Sequence, residues 1–300
     1  MGRPGIDYSA MSDHSSDCSS VRTSFTARAP RDLAGWAELF KHADLPVLPD
    51  TAATLEDMRA MEDAVDAHML ADAIGSDPLM TLKLLAHVAE LRRGREGSEV
   101  ETVTEALVML GIPPFFRAFG PQAVAQDRLA DWPEALAGFQ KVLRRSHRAA
   151  RFAIGFAVHR MDHDAPVIHE AALLHDFAEL MLWLQAPALA LEIERRQALD
   201  SGLRSVVAQR EVLHVTLADL QQHLMESWSL PTLLVRITDD KAPAAGQQVR
   251  NVLLAIRIAR HSAQDWDNAA LPDDVLEAAQ LLQLSPESAL RLMREIDSDE

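Results

Sequence analysis

The stretch Ala171-Ala-Leu-Leu-His-Asp-Phe-Ala-Glu-Leu180 decides how the fold and the function of this chain are interpreted. Its apolar residues follow a helical spacing, yet His175 and Asp176 stand at its centre. Burying polar groups without partners costs free energy, so the doublet needs a metal ion or a charged neighbour. The stretch therefore indicates a metal site, or a site that descends from one.

The rest of the chain predicts an all-α fold. Of its 300 residues, 48% are hydrophobic, which is enough for one large core or two packed units. From Asp32 onward the apolar spacing is helical nearly everywhere, and no alternating β-branched run is long enough for a strand. Residues 1–30 are rich in Ser, Asp and Arg without apolar periodicity, so we expect a disordered tail there.

Charge and cysteine content narrow the possible partners. The formal net charge of -16 weighs against nucleic acid as a partner, because an acidic surface repels phosphates. Arg92–Arg95 and the arginine-rich segment 144–151 are interpreted as solvated faces. A single cysteine, Cys18, excludes an internal disulfide and a cysteine-rich zinc site.

The start of the chain has no signal-peptide pattern, and the most hydrophobic stretch, Leu180–Ile193, is too short to span a bilayer. We expect a cytoplasmic protein without a membrane partner.

Local signals predict several helix ends. Asp77-Pro78 provides an N-cap and a first-turn proline for a helix over 79–91. Gly111 ends the preceding periodic segment, and Pro113-Pro114 is expected to stop the helix from resuming. The acidic end Glu295–Glu300 is predicted to be a frayed tail.

Two histidines occupy apolar stripes. His147 lies in phase with Leu143 and Ala150, and His175 lies in phase with Ala171 on what is expected to be one long helix. Both side chains are therefore predicted to point into the same interior. That arrangement suits a shared metal site, and it equally suits two core histidines.

The chain resembles the HDOD domain, a bacterial signalling output relative of the HD phosphohydrolases. The resemblance covers roughly residues 45–263 and is specific in its order of segments. The matching pieces are Leu45–Pro49, Ser76–Leu85, Glu105–Gly111, His147, Leu173–Asp176, Glu211 and Trp228–Pro231. It implies an N-terminal helical subdomain over 31–131, an HD-like helical subdomain over 132–270, and C-terminal helices with an acidic tail over 271–300.

The resemblance also implies where a metal would bind. Active HD enzymes hold metal through a histidine, the His-Asp doublet and a later aspartate, and the first three correspond to His147, His175 and Asp176. The fourth position reads Arg260, and a guanidinium cannot ligate a cation. We therefore expect a degenerate site without a catalytic residue or a metal cofactor. In place of the metal, Asp176 is predicted to accept a hydrogen bond from His147 or to pair with Arg260. Where family members often carry paired histidines, the chain has Asp239 and Asp240, which are secondary polar positions.

Three functions remain open at this point. The first is a non-catalytic signalling module that acts on signalling proteins in trans, as a monomer or a homo-oligomer, or that responds to a small ligand. The second is a phosphohydrolase acting on a nucleotide or a cyclic dinucleotide, with iron, manganese or zinc held by His147, His175 and Asp176. The third is a nucleic-acid-binding regulator that uses the segment 144–151. The incomplete ligand set favours the first.

Overall fold

The computed structural model describes residues 25–41, 43–94, 99–239 and 246–298. Within these ranges every regular element is helical, apart from an isolated bridge between Val47 and Val124. The predicted all-α fold is confirmed. The helices are α1 Leu33–Lys41, α2 Pro49–Ala60, α3 Ala67–Ile74, α4 Pro78–Arg92, α5 Val103–Leu110, α6 Ile112–Ala118, α7 Ala125–Arg128, α8 Pro133–His159, α9 Ala165–Leu174, α10 Phe177–Gln185, α11 Pro187–Leu199, α12 Ser205–Leu213, α13 Leu217–Ser227, α14 Thr232–Ile237, α15 Gln247–His261, α16 Leu271–Leu282 and α17 Pro286–Ser298.

The first half of the fold is organised around Asp77. Its carboxylate accepts hydrogen bonds from the backbone of Leu79 at 2.8 Å and of Met80 at 3.0 Å, as the predicted N-cap requires. The other oxygen accepts a bond from the backbone of Leu48 at 2.7 Å. This fully buried side chain therefore fastens the segment before α2 to the start of α4.

The long helix α8 forms the centre of the second half. Helices α9, α10 and α15 pack along it, and the aromatic rings of Phe139, Phe152 and Phe156 are fully buried between them. A Cβ atom added at Gly138 would lie 2.4 Å from the ring of Trp183. Glycine at this position thus allows α10 to approach α8 closely.

The described parts of the two predicted tails, residues 25–30 and 295–298, are more ordered than the sequence predicts. The ring of Phe25 packs edge-on against Trp132 with centroids 5.9 Å apart, so a disordered tail is wrong for residues 25–30, while residues 1–24 lie outside the described residues. Helix α17 runs to Ser298, and its Asp297 pairs with Arg148 at 2.8 Å. The predicted fraying is therefore wrong up to that residue, and residues 299–300 are not described.

Two further expectations are affected by the packing. Pro113 and Pro114 do not stop the helical path, because they lie in the first turn of α6, where proline is tolerated. Helix α1 falls in the predicted N-terminal subdomain, yet it packs against α13, and Trp36 donates a hydrogen bond to the carbonyl of Leu213 at 3.0 Å. The division into subdomains stays a prediction. None of the described helices is both long and apolar enough to cross a bilayer.

Candidate functional site

The chain breaks its helical path at the His-Asp doublet. Helix α9 ends at Leu174 and α10 begins at Phe177, so the expected continuous helix is wrong. Aspartate favours helix starts over helix interiors, and the backbone carbonyl of Asp176 accepts the first bonds of α10, from Glu179 at 3.0 Å and Leu180 at 3.1 Å. The break leaves both side chains of the doublet on the wall of one cleft.

Asp176 lies between two arginines. Arg145 of α8 donates from Nε to Oδ2 at 2.6 Å, and Arg260 of α15 donates from Nη2 to Oδ1 at 2.9 Å. The Nδ1 atom of His175 lies 3.1 Å from the same Oδ1 atom. Arg145 also donates to Oε2 of Glu179 at 2.6 Å, and the side chain of Glu179 is 30% exposed. These five side chains are called the arginine clamp below.

The clamp keeps a buried carboxylate ionised. Burial alone would raise the pKa of Asp176, but the positive charges of Arg145 and Arg260 outweigh it and hold the pKa of that carboxyl well below its usual range. Burial likewise opposes the charge of Arg145, and Asp176 and Glu179 outweigh it, so the pKa of the guanidinium is raised. Asp176 and Arg145 therefore stay charged across the physiological pH range.

Two partners were predicted for Asp176. The structure contains the ion pair with Arg260 and not the hydrogen bond from His147. His147 points elsewhere: its Nε2 atom lies 2.7 Å from the carbonyl oxygen of Ser76, before α4. The expected common interior of His147 and His175 is therefore wrong. Residues two positions apart in a helix lie about 200° apart around its axis. Arg145 and His147 therefore face different neighbours.

Sequence reasoning missed Arg145 because it placed the buried stripe of α8 one residue too late. The observed stripe includes Val142, Ser146, Ala149 and Ala153, about 100° from the predicted one. With that phase, Arg145 falls beside the buried face. The solvated-face interpretation of segment 144–151 is thus wrong for Arg145 and also for Arg148, whose side chains are 18% and 16% exposed.

A cleft of about 1120 Å³ adjoins the arginine clamp. Helices α8, α10, α11, α12, α13 and α15 contribute to its walls, and the clamp side chains lie along it. Asp239 also lines this cleft, whereas Asp240 lies outside the described residues. Gln221 of α13 lines it as well, although only 4% of that residue is exposed. The doublet thus lies on the wall of a space large enough for a ligand.

Comparison with known proteins identifies the family. The model of the HDOD domain matches residues 45–242, about two thirds of the chain. This protein belongs to the HDOD family. No curated protein matches the chain at a significant level.

Two solved structures share the fold of this chain. The response regulator MmoQ from Methylococcus capsulatus is 22% identical and superposes with a TM-score of 0.66, over 84% of this chain and 98% of its own. A virulence factor from Campylobacter jejuni is 18% identical, also with a TM-score of 0.66, over 90% of this chain and 98% of its own. At these identities the likeness shows the fold alone.

The residues at the doublet of this HDOD chain do not fit the metal of HD enzymes. A divalent ion needs three or more donors, and both oxygens of Asp176 already accept bonds from guanidinium groups. The positive charges of Arg145 and Arg260 would repel a cation at this place. Among the residues that the structure describes, no group of three or more His, Cys, Asp or Glu side chains could hold a metal ion.

Proposed function

We propose that this HDOD protein is a non-catalytic module of cytoplasmic signal transduction that acts through contacts with protein partners in trans. The observation that carries the proposal is the arginine clamp, in which Arg145 and Arg260 both bind the Asp176 carboxylate. The name of a structural neighbour, a response regulator, supports a regulatory role. Membership of the HDOD family is consistent with that role.

The clamp disfavours the phosphohydrolase alternative. Metal-dependent hydrolysis needs an ion that activates water and neutralises the phosphate. Here one guanidinium is tied to Asp176 and Glu179, and the other is tied to Asp176. Neither arrangement provides a group that activates water.

The nucleic-acid alternative loses its main support. Binding of a phosphate backbone requires basic side chains that are available to the ligand. Arg145 is held by the clamp, and Arg148 makes two bonds to Asp297 at 2.8 and 2.9 Å. The remaining basic residues of segment 144–151 stand against an overall charge of -16.

The test is elemental analysis of protein purified from a medium with added iron, manganese and zinc, combined with hydrolysis of bis-p-nitrophenyl phosphate. We expect the wild-type protein to be folded, to contain far less than one metal ion per chain and to lack hydrolytic activity. Arg260→Asp removes one cation of the clamp and adds a carboxylate, so it should bind more metal than wild type. Arg250→Asp, which also exchanges an arginine of α15 for a carboxylate but lies outside the lining of the cleft, is the matched control.

Stoichiometric metal in the wild-type protein would contradict the proposal. The contradiction would be complete if His175→Ala removed both that metal and a hydrolytic activity. In that case the clamp would have to open in solution to admit the ion.

A further inference from the structure

Glu170 joins α9 to the start of α5 through a buried carboxyl group. Only 6% of this residue is exposed, and its Oε1 atom accepts a hydrogen bond from the backbone of Val103 at 2.8 Å. The two residues are 67 positions apart in the chain, so the bond connects the first half of the fold to the second. Neither residue lines the cleft beside the arginine clamp. The contact is therefore separate from the candidate site.

The other carboxyl oxygen of Glu170, Oε2, is buried, and no hydrogen-bond partner for it lies among the described residues. Burying a carboxylate oxygen without a partner costs free energy, and protonation removes the charge. Burial, together with the smaller effect of the Glu105 charge, outweighs the bond from Val103 and raises the pKa of Glu170 to about 8. Glu170 therefore holds a proton at neutral pH.

Carboxylates predominate around this contact. The charged and titratable groups near it are Glu99, Glu101 and Glu105 at the start of α5, Asp164 at the start of α9, His169 beside Glu170 in α9, and Arg236 of α14. Burial lowers the pKa of His169, so this side chain is neutral at pH 7. Like charges at short range repel each other, and a further carboxylate on deprotonated Glu170 therefore destabilises the contact.

Helix α5 is the element that this repulsion affects first. It spans eight residues, and the helices packed most extensively against it are α3, α4 and α6 of the first half. The bond from Val103 to Glu170 holds its first turn against α9. A short helix released at one end opens at a lower cost than the long core helices α8 and α15. Loss of this bond therefore leads to local opening and leaves the rest of the chain folded.

We propose that α5 is a proton-controlled element of this fold, which stays attached to α9 while Glu170 is protonated and opens locally when Glu170 loses its proton. Opening exposes the side chain of Val103, which is 3% exposed in the attached state. Newly exposed apolar area changes the surface that is offered to protein partners. The inference goes beyond the proposed function, which does not require a response to pH.

The test is thiol labelling of the full chain, in which the single cysteine, Cys18, is replaced by serine. Val103→Cys places a reporter at the contact, and Val252→Cys places a matched, fully buried reporter in α15. Labelling by 5,5′-dithiobis(2-nitrobenzoic acid) is followed between pH 6 and pH 8, with Glu170 intact and with Glu170→Gln. The ratio of these two rates at each pH cancels the ionisation of the thiol.

We expect the ratio for Val103→Cys to rise about tenfold per pH unit below pH 8, because opening of α5 releases one proton from Glu170. Global unfolding releases the same proton, so the absolute rates separate the two processes. Val252→Cys should be labelled about a hundredfold more slowly than Val103→Cys, since α15 opens only with the whole fold. Glu134→Gln, which removes an exposed carboxylate of α8, should keep the pH dependence found with Glu170 intact.

A ratio that does not change with pH would overturn the inference. Equal labelling rates of Val103→Cys and Val252→Cys would also overturn it, because the whole chain would then unfold together. Ala106→Cys, fully buried one turn later in α5, provides a second reporter if Val103→Cys does not fold. Circular dichroism at pH 6 establishes which variants are folded before they are labelled.

Discussion

Replacing Asp176 by Asn removes the charge that holds the arginine clamp together while it keeps the shape of the side chain. Arg145 would retain Glu179 at 2.6 Å, but Arg260 would lose its only ion pair among the described residues. We expect the variant to fold and to be less stable than wild type, because guanidinium charges are left without their common partner.

The exposure of the side chains sets the size of the effect. Removing one partner of a buried ion pair costs about 3–5 kcal/mol. The side chain of Arg260 is 45% exposed and can regain hydration, and that of Arg145 is 18% exposed and keeps one carboxylate. The lower limit, about 3 kcal/mol, is therefore appropriate. For a protein of this size it corresponds to a fall in Tm of about 6–12 °C.

The assay is urea unfolding at pH 7 followed by circular dichroism at the helical band, for wild type, Asp176→Asn and Glu277→Gln. Glu277 pairs with Arg257, and their side chains are 33% and 43% exposed. Exposed pairs contribute at most about 1 kcal/mol, so the control should lose far less stability.

The pH dependence of the same difference provides a second check. The folded pKa of Asp176 is depressed below its unfolded value of about 4, so its contribution is present above that pH. As the pH falls through the folded pKa, the contribution is lost and the two proteins should converge. Equal stabilities of wild type and Asp176→Asn at pH 7 would refute the structural role of the clamp.

Two other substitutions probe packing away from the clamp. Glu170 is 6% exposed, accepts one bond from the backbone of Val103 at 2.8 Å, and burial raises its pKa to about 8. Its folded pKa lies above the unfolded 4.5, so wild type should lose a few kcal/mol as the pH rises from 4.5 to about 8, whereas Glu170→Gln should not. Parallel urea midpoints at pH 5, 7 and 9 would contradict this. Gly138→Ala places a Cβ atom against the ring of Trp183 and should lower the free energy of unfolding by about 1–3 kcal/mol. The control Gly120→Ala adds a Cβ in open space and should lower it much less. Equal Tm values of the two variants would show that α8 and α10 separate easily.

The helical fold was predictable because its signals are local. The cap at Asp77 and the end at Gly111 depend on residues close in sequence, and the structure places helix boundaries at both. Gly111 has a φ of +82°, a conformation that glycine adopts without strain, and it separates α5 from α6. The same local logic fails at Pro113, because a proline allows a helix to begin as well as to end.

The partners within the candidate site were harder to predict. Arg145 and His147 are both large, basic and close in sequence, and a phase difference of one residue along α8 exchanges their environments. The pair between Asp176 and Arg260 was accessible only through the resemblance, since 84 residues separate them. Likewise, no residue close to Asp297 in the sequence indicates that its partner is Arg148, which lies 149 residues away.

Arg260 lies outside the segment that matches the family, and this position affects where the chain could be divided. The match to the family ends at residue 242, yet Arg260 lies in α15, and Asp297, the partner of Arg148, lies in α17. Two charged residues of the family segment, Asp176 and Arg148, thus pair with residues of helices that follow it. A recombination that joined the segment at residue 242 to another protein would transfer Asp176 with only one of its arginines. The ion pairs of the family segment therefore depend on the helices that follow it.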